Sequence, residues 1–87
     1  MRSVYVSLPT VETVQNFVMQ ISPLDGNFDL MLGGYILDAK SLMGILSLDL
    51  TQPLNLVVEK DTVDAMRAIK HFITEKPLRE APALGFG

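Results

Sequence analysis

The chain has 87 residues, 48% of them hydrophobic, enough for one small domain with its own core and too apolar for a disordered chain. A net charge of −3 leaves no basic stripe for a nucleic-acid backbone, so nucleic acid is not an expected partner. The absence of cysteine excludes disulfides and a thiol nucleophile, and one histidine without cysteine argues against a zinc site, so no cofactor or metal is expected.

Residues Arg2 to Ser7 alternate, with Val4, Tyr5 and Val6 supplying strand-forming side chains, and predict a first strand. Pro9-Thr10 breaks it. Val11, Val14, Phe17, Val18 and Ile21 then recur at helical spacing, which predicts an amphipathic helix over 11–21 with Thr10 as its N-cap. Ser22-Pro23-Leu24-Asp25-Gly26 ends it. Phe28, Leu30 and Leu32 alternate with Asn27, Asp29 and Met31 as a second strand, and Gly33-Gly34 is a two-residue hairpin signal leading into a third, Tyr35 to Asp38. Ser41 opens a short helix through Ser47. Leu54, Leu56 and Val58 form a fourth strand after Pro53. Asp61 or Thr62 caps a last helix, with Val63, Met66, Ile69, Phe72 and Ile73 expected on its inner face and Pro77 as its stop.

The order is βαββαβα, with a hairpin in the middle rather than strict βα alternation. That predicts an α+β domain over residues 1–76: an open-faced sandwich of four antiparallel strands with helices on one face. Residues 77–87, with two prolines and two glycines, are expected to form an extended or disordered tail. No apolar run reaches the roughly 18–20 residues that span a bilayer, and the N-terminus lacks the pattern of a signal peptide. No membrane association is therefore expected, and the expected location is the cytoplasm.

The segment Ala39-Lys40-Ser41-Leu42-Met43-Gly44-Ile45-Leu46-Ser47-Leu48 resembles the regulatory-serine signature of the HPr family, the phosphocarriers of the bacterial sugar phosphotransferase system. The family pattern there is lysine, serine, two apolar residues, glycine, two apolar residues, serine and leucine. The element order resembles HPr over residues 2 to 76, which implies an HPr-like fold. The family's carrier motif is a histidine followed by threonine, arginine and proline at the start of the first helix. With Phe17-Val18 as the anchor, the histidine position falls on Thr10, the arginine on Glu12 and the proline on Thr13. A threonine hydroxyl has a far higher pKa than imidazole and gives a stable ester, unlike a labile phosphoryl-imidazole. Glu12 places negative charge where a phosphoryl group would sit, while supporting the helix through its macrodipole. A carrier without its histidine is thus the expectation, and no catalytic residue is assigned. An atypical carrier, or a small-molecule-binding regulatory domain similar to ACT domains, are the alternatives; no glycine-rich ligand loop follows the first strand to favour the latter.

Three other features invite functional assignment. By resemblance, Ser41 stands where HPr proteins of low-GC Gram-positive bacteria accept a regulatory phosphate, with Lys40 beside it; as an N-cap it also has a structural role. Leu42, Met43 and Leu46 are expected to face outward as a partner-docking patch, with Ile45, Leu48 and Leu50 inward. Leu84 and Phe86 of the tail could instead fold over that patch. The resemblance implies phosphotransferase-system enzymes, HPr kinase or a transcriptional regulator as partners, and a weak homo-oligomer is a further expectation. His71, late in the last helix, lacks any acid, base or metal partner in the pattern and reads as a surface residue. Asp49 stands where the family commonly has glycine, and is expected to tolerate left-handed geometry there.

Overall fold

The computed structural model describes residues 1–76. The chain runs β1 (Arg2–Val6), α1 (Val11–Ile21), β2 (Phe28–Leu32), β3 (Tyr35–Asp38), α2 (Leu42–Leu46), β4 (Leu54–Val58) and α3 (Val63–Ile69), then a 3₁₀ turn over Lys70–Phe72 and β5 (Ile73–Thr74). The expected tail over 77–87, with Leu84 and Phe86, lies outside the described residues. The strands form one open sheet in the order β3-β2-β4-β1-β5, antiparallel throughout. Among the described residues it has five strands, not the expected four.

The period-2 pattern decides which sheet face is buried. In β4, Leu54, Leu56 and Val58 are buried while Asn55 and Val57 are half-exposed; Phe28 and Leu30 of β2 and Val6 of β1 continue the buried face. The helices cover it with Val14, Phe17 and Ile21 from α1, Ile45 from α2, and Ala65 and Ile69 from α3. Each fully buried Phe, Leu or Ile contributes about 1.5–3 kcal/mol relative to exposure. Phe17 and Phe72 meet edge to face with ring centroids 5.3 Å apart, fastening α1 to the turn after α3.

The last helix is shorter than its apolar spacing suggests. At about 100° per residue, Val63 lies roughly 140° from the mean direction of Ala65 and Ile69. It is accordingly exposed, as is Ile73 at 44%. The residues after Ile69 leave the helix because β1 offers an unpaired edge. Ser7 N–H donates to the Phe72 carbonyl at 2.8 Å, and Val6 and Tyr5 pair with Ile73 and Thr74. Val11, in the first turn of α1, is likewise exposed rather than on the inner face.

The turns follow local chemistry. Gly33 has φ +58° and Gly34 does not share a positive φ, the sign pattern of a type II′ hairpin turn joining Leu32 to Tyr35. Gly26 has φ +88°, and a Cβ there would stand 2.9 Å from Cγ of Lys60, so glycine is required twice over. Among the described residues, no helix is long and apolar enough to cross a membrane.

Candidate functional site

The first turn of α1 is built around Thr10. Its backbone is extended at φ −132°, and its hydroxyl accepts from Thr13 N–H at 3.1 Å. Thr10 Oγ1 and Thr13 Oγ1 also share a hydrogen bond of 2.8 Å. The hydroxyl is therefore occupied as a cap. Glu12, exposed, is the acidic residue of this first turn. The only histidine of the chain, His71, sits in the 3₁₀ turn rather than within the last helix, on the exposed surface.

Ser41 caps α2 in the same way, its hydroxyl accepting from Gly44 N–H at 3.2 Å. Gly44 makes that approach feasible: a Cβ on it would come within 3.0 Å of Ser41 Oγ and 3.5 Å of Leu37 Cδ1. Ser41 remains exposed to solvent. Lys40, its neighbour, is turned to other work. Its ammonium donates to the Leu24 carbonyl and lies 5.4 Å from the centroid of the Phe28 ring. It is thus anchored to the α1–β2 connection rather than free to meet a phosphate on Ser41.

The apolar side chains of α2 divide unequally. Ile45 is wholly buried. Leu42 and Leu46 are half-buried and pack against the core, as do Leu48 and Leu50. Met43 alone points fully outward, at 77% exposure. The outward surface of α2 is therefore narrower than three equal side chains: Met43 at its centre, flanked by Ser41 and the rims of Leu42 and Leu46.

Asp49 does not use left-handed geometry, since no described non-glycine residue has positive φ. Its carboxylate instead accepts from Thr51 Oγ1 at 2.6 Å and Thr51 N–H at 3.0 Å, closing the turn before β4. The hydroxyl bond first, then the backbone bond, hold its pKa below the ordinary aspartate value.

A shallow depression that the sequence pattern does not reveal lies between β1 and the start of α3, lined by Arg2, Asp61, Val63, Met66 and Lys70 among others. Arg2 Nε is paired there with Asp61 at 2.9 Å, and Arg67 faces Asp64 at 3.9 Å, so carboxylates offset much of its positive charge. None of the residues of α2 or of the first turn of α1 lines it. Among the described residues, no group of three metal-ligating side chains comes together. Comparison with known proteins finds no match: no family model, no curated protein and no solved structure matches this chain.

Proposed function

We propose that the chain is an HPr-like, phosphotransferase-related domain of the cytoplasm that acts by binding other proteins and does not carry a phosphoryl group itself. The observation that carries this is the first turn of α1. At the position that corresponds by resemblance to the carrier histidine, Thr10 spends its hydroxyl on the helix cap, and Glu12 replaces the arginine with a carboxylate. Neither a labile phosphoryl acceptor nor a cation to steady it is supplied there.

The binding surface in this proposal is α2. Met43 offers an exposed, adaptable apolar side chain, of the kind suited to partners of varied shape. Ser41 is exposed two residues before it, within reach of a modifying kinase. A phosphate on Ser41 would add roughly −1.5 to −2 charges beside Met43, and so switch an apolar contact surface into an acidic one. Ser41 in this account is both cap and regulatory site.

The test is a titration of the isotope-labelled protein with purified Enzyme I, followed by amide shifts. The account expects shifts concentrated at Ser41, Met43 and Leu46, and their loss in Met43→Ser. Saturable shifts centred elsewhere on the domain contradict α2 as the docking surface.

A further inference from the structure

We infer that the outer edge of β3 is a homodimer contact, in which two copies pair antiparallel with Ile36 on the twofold axis. The register of the hairpin shows which backbone groups are free. Ala39 N–H donates to the Phe28 carbonyl at 2.7 Å, and Phe28 lies opposite Ala39 in the β2–β3 ladder. In an antiparallel ladder, bonded and non-bonded pairs alternate. Leu30–Leu37 and Leu32–Tyr35 are therefore the next bonded pairs, and the N–H and C=O groups of Ile36 and Asp38 point away from β2. Among the described residues nothing pairs with either group of Ile36, whereas the Asp38 carbonyl already accepts from Ser41 N–H at 3.0 Å.

This edge lacks the usual protection. Tyr35-Ile36-Leu37-Asp38 contains no proline, no lysine and no bulge, and it exposes two large side chains, Tyr35 at 73% and Ile36 at 67%. The other edge, β5, is only two residues long. Self-pairing of β3 has one natural register, because in this strand Ile36 alone has both its outward N–H and its outward C=O unpaired among the described residues. A twofold axis normal to the sheet keeps each side chain on its own face, so residues of like parity must stand opposite one another. With Ile36 opposite Ile36, the two free backbone groups of each copy bond reciprocally, and Asp38 falls opposite Gly34.

The side chains fit the same register. Ile36 pairs with Met31 within the chain and so lies on the face away from the helices; across the axis it meets its own copy, with Cα atoms about 5.5 Å apart. On the helix face, Tyr35 stands opposite Leu37 of the second copy, the residue on which α2 packs. Both exposed side chains are thereby covered by apolar neighbours. The charges also fit. The only charge in the strand, Asp38, is carried about 14 Å from its mate, beyond the Debye length of about 8 Å at physiological salt. A four-residue strand buries less than the roughly 1,200 Å² of a standard stable interface, so the dimer is weak and concentration-dependent.

Sedimentation velocity from about 10 μM to about 1 mM, the weak end of the affinity range, tests this. The wild type should shift from monomer toward dimer over that range. Ile36→Pro removes the outward N–H without touching the β2–β3 ladder, and should sediment as monomer throughout while its circular dichroism stays native. Ile36→Lys places two like charges across the axis and should do the same if the proline variant folds poorly. A wild type that stays monomeric at the top concentration overturns the inference. So does a folded Ile36→Lys variant that dimerises as well as the wild type.

Discussion

Three neighbouring residues of α2 sit at three depths, and substituting each in turn separates core from surface. Ile45 is wholly buried beneath the helix. Truncation to alanine removes its transfer free energy and leaves a cavity, a cost of about 2–5 kcal/mol. Leu46 is half-buried against the core, so Leu46→Ser falls between core and surface behaviour, and the combined change of Met43 and Leu46 to serine is not structurally silent. Met43 is 77% exposed, so Met43→Ser should stay within about 0.5 kcal/mol of the wild type. In a domain of this size each kcal/mol moves the melting temperature by about 4–8 °C, so the three variants are easily resolved. Urea denaturation followed by circular dichroism, with the slope checked for constancy, gives the three free energies directly. If Met43→Ser destabilises as much as Ile45→Ala, Met43 belongs to the core and α2 presents no docking surface.

The caps and turns make further predictions. Ser41→Ala should cost about 1 kcal/mol, while Ser41→Asp, which keeps a capping oxygen, should melt close to the wild type; equal melting of all three would mean that Ser41 does not cap α2. Gly26→Ala should destabilise by at least about 1 kcal/mol, since φ +88° disfavours a side chain and the added Cβ meets Lys60 at 2.9 Å; a neutral result in urea denaturation would contradict the turn geometry. Carboxyl NMR should place the Asp49 midpoint below the ordinary aspartate value, and Thr51→Ala should raise it. Because the folded-state pKa is the lower one, this turn's contribution is fully present above the unfolded value and fades as pH falls through the folded value. A midpoint unmoved by Thr51→Ala would refute the assigned cause.

The local devices of the fold are written in short stretches of sequence, and those were legible. Thr10 and Ser41 each cap the helix expected of them, Thr62 rather than Asp61 caps the last helix, and Gly33-Gly34 closes the hairpin between Leu32 and Tyr35. What was not legible depends on partners distant in sequence. Ile73 continues the helical spacing of Met66 and Ile69, yet it becomes a strand because the edge of β1, some 70 residues earlier, must be satisfied. Val63 shares the three-residue spacing but lies off the inner face, which a list of apolar positions does not reveal. At the candidate site, the identity of the residues at Thr10 and Glu12 can be read directly. The anchoring of Lys40 on Leu24 and Phe28, and the half-burial of Leu42 and Leu46, arise only from packing.

The most direct measurement of the central claim is intact-mass spectrometry after incubation with Enzyme I and phosphoenolpyruvate, with an authentic HPr as positive control in the same tube. The account predicts that HPr gains one phosphate while this chain keeps its unmodified mass, because Thr10 is a capping hydroxyl beside Glu12 rather than an imidazole beside a cation. An acid-labile gain of one phosphate on this chain would contradict it.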